Sequence, residues 1–178
     1  SYSVNQSRPN YDYLIISQAP LMAYAGANDF TAFTDSLKSR GLVAKIVDVE
    51  TINSQMPGAE LTEKIRDYVR QEYSASGIKY LLLAGKGVAK GSFLPSRKLW
   101  SKIKAYFGAG WVDVEENIPA DSYYGTLDGS YNSNGNTKWG EPTDGDNGGD
   151  VDFLPEVTVG RVVLNTTADL QNFVRKSI

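Results

Sequence analysis

From Asp128 to Glu141 the chain spaces oxygen-bearing side chains in a way that suits a hard cation: Ser130-x-Asn132-x-Asn134-Gly135, then Asn136, and Glu141 five residues past Asn136. This is the spacing of a twelve-residue calcium loop. Such a loop has donors at its first, third and fifth places, a glycine for the sharp turn at the sixth, a backbone carbonyl at the seventh and a bidentate Glu at the twelfth. Calcium in a structural role is therefore the cofactor expected. Ser130 stands where Asp is usual, so Glu141 is the one charged ligand of the strict loop. Affinity is expected to be weak unless Asp128, Asp144, Asp146, Asp150 or Asp152 folds back to help. A register starting at Asp128 puts Ser133 at the glycine place and Trp139 at the last, a worse fit. The same residues also read as a sodium site, or as a solvated Asn/Gly/Ser turn that holds no ion.

Other chemistry is limited by what the chain lacks. It contains no Cys and no His, which excludes disulfides, thiolate zinc and a thiol nucleophile, and removes the commonest general base and the commonest zinc ligand. Among its 21 acids no spacing singles out a catalytic pair. In an open parallel sheet ligands lie beyond the C-terminal strand ends. The loops to inspect are thus those holding Gln18 and Pro20, and Gly85, Lys86 and Gly87. No G-K-[ST] follows there, so a phosphate loop is not expected.

Charge is unevenly spread. Gly85 to Val112 holds six basic residues and no acid, and Glu141 to Glu156 six acids and no base. The two blocks either attract one another or face different partners, and two solvated surfaces are the plain alternative. Nucleic-acid binding through the basic stretch with Trp100, Tyr106 and Trp111 is disfavoured by the net charge of −3 and the lack of a recognised motif.

The elements that must position these residues follow from periodicity. Tyr13 to Ser17, Val43 to Val49 and Tyr80 to Ala84 read as buried strands. A helix capped by Asn28 or Asp29 and ended near Gly41 carries Phe30, Phe33 and Leu37. A second, ended by Gly77, carries Leu61, Ile65, Val69 and Tyr73, with Glu60, Glu63, Lys64, Arg66, Arg70 and Gln71 assigned to its polar face. Residues 91–118 fit a helical stripe (Leu99, Trp100, Ile103, Tyr106, Phe107) or a hairpin turning at Gly108-Ala109-Gly110. Residues 125–152 read as one long Asn/Asp/Gly-rich loop, and Val157 to Val163 as a strand. A helix from Thr166 follows, with Thr166 and Asp169 at capping-box spacing.

The expectation is one α/β domain over residues 1–178: a three-layer sandwich with a mostly parallel sheet in flavodoxin-like order. A composition with 41% hydrophobic residues is globular, and no apolar run reaches the ~20 residues of a membrane helix. The N-terminal SYSVNQSRPN carries no targeting signal, and the helix that runs to Ile178 gives that end the look of a cut or processing site.

The segments YDYLIIS, FTAFTDSLKSRGLVAKIVDVE, IRDYVRQEY, IKYLLLAG, IPADSYYGTLDG and VDFLPEVTVGRVVLNTTADLQNFVRKSI resemble the N-terminal subdomain of the gingipain family of cysteine endopeptidases. The most specific parts are Asp121-Ser122-Tyr123-Tyr124 leading to Leu127-Asp128-Gly129, and Pro155-Glu156-Val157 leading to Val159-Gly160-Arg161. The resemblance implies a caspase-like fold of two similar subdomains, secretion to an extracellular or cell-surface location, and calcium-stabilised loops. It implies that the catalytic Cys and His lie in the C-terminal subdomain or chain of the same precursor, that the substrate is a protein or peptide, and that this part alone is inactive. No catalytic residue carries over. Lys86 departs from an expected acid, and the basic stretch to Lys104 is longer than the connection expected. Asp121 matches a family acid, read as a turn cap or a metal ligand, and Arg161 reads as a strand-end ion-pair partner. A non-enzymatic flavodoxin-like binding module of an extracellular or cell-surface protein is the alternative.

Overall fold

The computed structural model describes residues 11–86 and 93–178. Strands β1 (Tyr13–Ser17), β2 (Ala44–Asp48) and β3 (Tyr80–Gly85) form one sheet with the later strand β6 (Thr158–Val163), in the order β2-β1-β3-β6 and parallel throughout. This is a mixed α/β, flavodoxin-like three-layer sandwich. Alternation along each strand divides the core into two layers. Leu14, Ile16, Leu81 and Leu83 face α3 (Val49–Gln55) and α4 (Leu61–Ser76), while Ile15, Leu82 and Ala84 face α1 (Ala19–Met22), α2 (Phe30–Ser39) and α5 (Thr167–Ser177). Because both faces are covered, the central strands are apolar without interruption.

Helix boundaries follow local chemistry. Asp29 caps α2 by accepting the Ala32 N–H at 2.9 Å, and the Thr166–Asp169 pair closes a capping box on α5. Gly77 ends α4 at φ 69°, a left-handed conformation that a side chain disfavours. Two short helices, α1 and α3, were not anticipated. Pro20 sits in the first turn of α1, where its missing N–H costs nothing. Asp48 ends β2 and caps α3 through the Thr51 N–H, so the strand stops one residue before Val49.

Residues 97–120 form the hairpin of the two alternatives: β4 (Arg97–Tyr106) pairs antiparallel with β5 (Trp111–Ala120) through a turn with Gly108 and Gly110 at positive φ. One face sets Leu99 opposite Ile118, Ile103 opposite Val114 and Ala105 opposite Val112; the other carries Lys98, Lys102 and Lys104 opposite Pro119, Glu115 and Asp113. Period-two pairing thus separates residues that a helical reading gathers into one stripe. Lys102 pairs with Asp113 at 2.8 Å, within the hairpin. Among the described residues no ion pair joins the basic and acidic blocks. Gly87 and the first two residues of the 91–118 segment lie outside the described residues.

Leu83 is fully buried in the central strand between both helical layers. Leu83→Ala is expected to lower stability by about 2–5 kcal/mol, measured as a lower urea midpoint at unchanged slope. A loss within ~0.5 kcal/mol would contradict a packed centre.

Candidate functional site

The segment after the hairpin is held by two arginines of α4. Arg66, 1% exposed, donates from Nε and Nη2 to the Thr126 carbonyl (3.1 and 2.6 Å), from Nη2 to that of Asp128 (2.8 Å), and from Nη1 to that of Gly129 (3.0 Å). Arg70 donates to the carbonyls of Leu127 and Gly129, each at 2.8 Å. Four successive carbonyls, 126 to 129, therefore turn toward one helix. This corrects the placement of Arg66 on the polar face of α4: the buried positions Thr62, Ile65, Arg66, Val69 and Glu72 recur at three- and four-residue intervals, and Arg66 falls inside that stripe.

The Arg66 guanidinium lies 4.6 Å from the Tyr123 ring centroid and 4.9 Å from that of Tyr131. Arg97, also buried, stacks 3.6 Å from Trp139 and 5.0 Å from Tyr123. Alternating cations and rings thus tie α4, the base of β4 and the loop from Tyr131 to Trp139 together. Burial, then the neighbouring Arg70 charge, depresses the Arg66 pKa. Burial also raises the Tyr123 and Tyr131 hydroxyls above the ordinary phenol value, and Tyr124 well above it.

Turning the carbonyls inward leaves the opposite side of the segment to acids. The Leu127 N–H donates to Glu156 at 2.7 Å, and Asp152 accepts the Leu154 N–H at 2.9 Å. Asp128, Asp152 and Glu156 each present a carboxylate oxygen within 4.8 Å of the others, and no described ion pair neutralises any of them. Asp128 is partly exposed and Asp152 and Glu156 are half-buried, and their three oxygens converge as a hard divalent cation's ligands do. Oxygen donors of this kind fit calcium. Gly129 allows the arrangement: at φ 68° a Cβ there would lie 2.2 Å from the Asp150 carbonyl.

The residues of the spaced loop are placed as follows. Ser130 gives its N–H and hydroxyl to Asp150. Asn132 donates to the Asn136 carbonyl at 3.0 Å, and the side-chain amides of Asn134 and Asn136 both donate to Glu141 Oε1. Hydrogen bonds from Asn136, then from Thr143 and Asn134, hold the Glu141 carboxyl below its usual range. Gly135 makes the sharp turn at φ 70°. Asp128 is set apart from these residues in the other group, with Asp152 and Glu156. The sequence offers Asp128 and Asp152 only as helpers of the spaced loop and gives no sign of Glu156, which lies 28 positions beyond Asp128.

Asp121 and Arg161, read separately from the sequence, are partners. Arg161 Nε and Nη2 meet the two Asp121 oxygens at 2.6 and 2.8 Å, Arg161 Nη1 donates to the Leu94 carbonyl, and Ser96 donates to Asp121 at 2.6 Å. This bears out the strand-end ion pair for Arg161. The Asp121 carboxylate is engaged there and caps no turn. At the C-terminal strand ends Leu94 packs against Gly85, where an added Cβ would sit 2.8 Å from a Leu94 methyl and 3.1 Å from the Gln18 amide nitrogen. The Ser17 hydroxyl donates to the Ala84 carbonyl.

The model of Peptidase family C25 matches residues 6–178, and the chain belongs to that family, the gingipain family. Neither the curated proteins nor the solved structures contain a significant match.

Arg66→Met leaves the Thr126 and Asp128 carbonyls without a donor and takes one of two from Gly129, and a loss of about 2–5 kcal/mol is expected. Arg66→Lys should restore only part of it, because an ammonium cannot reproduce the guanidinium fork. Equal stability of the wild type and the methionine variant in urea would refute the clasp. Alkaline stability follows from the tyrosines. Their folded-state pKa values are raised, so their contribution is complete below the unfolded value of about 10. It is then lost as pH climbs toward the folded values, because the unfolded chain releases protons first. Urea midpoints are expected to fall from pH 10 upward, and midpoints flat to pH 11.5 would contradict this.

Proposed function

We propose that this chain is the non-catalytic N-terminal subdomain, or chain, of a secreted cysteine endopeptidase of family C25. In this reading the catalytic Cys and His come from the C-terminal part of the same precursor. The observation that carries the reading is a family match along residues 6–178 in a chain with no Cys and no His. A thiol peptidase needs a thiolate to attack the peptide carbonyl and a nearby base to manage the proton, and neither group is available here. The contribution of this half is then a rigid sheet with helices on both faces, against which a similar catalytic half packs in a caspase-like pair. The loops at its C-terminal strand ends would border the substrate cleft. Protein or peptide substrate accords with the family. Among the described residues no helix is long and apolar enough to cross a membrane.

Calcium belongs to the same proposal as a structural ion. Asp128, Asp152 and Glu156 would hold it, and Ser130, Asn132, Asn134, Asn136 and Glu141 would order the adjoining loop. The ion supplies charge neutralisation only and takes no part in peptide hydrolysis.

Two measurements test this reading. Mixing the chain with its downstream segment and adding a thiol-directed peptide inhibitor should give inhibitor capture in the mixture alone. Peptide cleavage by the chain without its companion, at a thiol enzyme's rate, would end the proposal. A mixture that captures nothing would favour the extracellular binding module. For the ion, calcium at about 100 times its dissociation constant should add ~2.7 kcal/mol. A chelator should therefore lower the melting temperature by several degrees, and calcium should restore it. Asp152→Asn should reduce that response, and a melting curve indifferent to both additions would remove calcium from the reading.

A further inference from the structure

We propose that the outer edge of β4 is a docking strand for an extended acidic peptide, one of whose apolar side chains fills the cavity beside Trp100. The Trp100 N–H donates to the Trp139 carbonyl at 2.7 Å, away from β5, although Trp100 stands opposite Asn117 in the hairpin. In an antiparallel ladder, hydrogen-bonded and non-hydrogen-bonded pairs alternate. Lys102 and Lys104, opposite Glu115 and Asp113, therefore turn their N–H and C=O groups to the same outer side as Trp100. The loop bonds that edge through Trp139 and turns away at Gly140, φ 80°. Among the described residues no loop or turn bonds the backbone of Lys102 or Lys104.

A cavity of ≈ 300 Å³ opens where the loop leaves the edge, with Trp100, Lys102, Glu141, Pro142, Val151 and Phe153 among the residues around it. That volume lies at the low end for ligand pockets, which suits one apolar side chain of a longer partner. Phe153 is 81% exposed, so the cavity has an apolar rim open to solvent.

Charge decides between the two edges of the hairpin. Lys98, Lys102 and Lys104 are exposed on β4, which holds no acid, whereas β5 carries Asp113, Glu115 and Glu116 and no base. Lys102 meets Asp113 at 2.8 Å, and Lys104 makes no ion pair among the described residues. An acidic strand is thus attracted to β4 and repelled by β5. Strand addition takes its affinity from main-chain hydrogen bonds and its specificity from side-chain pockets, and this edge presents both. Pairing of β4 with the β5 of a second copy is head-to-tail and would propagate into an open fibre, so self-association is the competing outcome. The docking edge does not depend on the peptidase reading.

The test is fluorescence anisotropy with a labelled peptide of about ten residues, a full strand length, in which Glu alternates with Val around one central Leu. Saturable binding is expected, weakened at least tenfold when Lys replaces Glu and lost when alternate backbone nitrogens of the peptide are methylated. In the protein, Lys104→Pro removes an outward N–H that β5 does not use, at an edge position that tolerates proline, and should abolish binding. Asn117→Pro makes the same change on the other edge and should leave binding intact, while Phe153→Ala should weaken it severalfold. Equal binding of methylated and unmethylated peptides overturns the proposal, as does loss with Asn117→Pro in place of Lys104→Pro, or no binding at millimolar peptide. Should Lys104→Pro fail to fold, Lys104→Glu decides, and an unchanged affinity there overturns the basic edge. A wild-type chain that self-associates in sedimentation, and is made monomeric by Lys104→Pro, gives the edge to a second copy and overturns the peptide partner.

Discussion

A buried guanidinium that faces carbonyl oxygens, and makes no ion pair among the described residues, organises this domain. Arg66 projects from the inner side of α4 and, with Arg70, gathers the four carbonyls from Thr126 to Gly129. A charged group so buried would be costly alone. Here its donors meet carbonyl oxygens and its two faces meet the Tyr123 and Tyr131 rings. With its carbonyls turned inward, the backbone must send the Leu127 amide and the Asp128 side chain outward, where Glu156 and Asp152 wait.

The same clasp explains how a loop of more than twenty residues stays folded on a small domain. Structureless loops of that length are uncommon in compact domains. This one is tied at intervals, by Arg66 at its start, by the Trp139 ring under Arg97, by Asp150 on Ser130, and by the Trp100 N–H on the Trp139 carbonyl. The hairpin of β4 and β5 is thereby fastened at its base. Its far end leaves Tyr106, Phe107 and Trp111 largely exposed.

Much of the sheet was legible beforehand because its signals are local. Uninterrupted apolar strands, the Asp29 and Thr166 caps and the glycines after α2 and α4 each act within a few residues of themselves. The hairpin was half legible: Leu99, Ile103 and Ala105 keep a two-residue period while Trp100 and Tyr106 also fit a helical one, and pairing alone settles which holds. Arg66 was misplaced because hydrophobicity ranks arginine as polar whatever surrounds it, while its carbonyl partners lie some 60 positions away in sequence.

By itself the sequence determined what this protein cannot do with its own atoms, since composition needs no geometry: without Cys and His there is no thiol nucleophile and no imidazole base. It also determined the parallel α/β layering, through patterns that repeat along single strands and helices. Only the tertiary structure decided that Asp121 answers Arg161, that Asp128 joins Asp152 and Glu156, and that Asp144 is sealed from water. Each of these is an electrostatic relation between distant residues, and Coulomb energy depends on separation in space, which one-dimensional spacing does not encode.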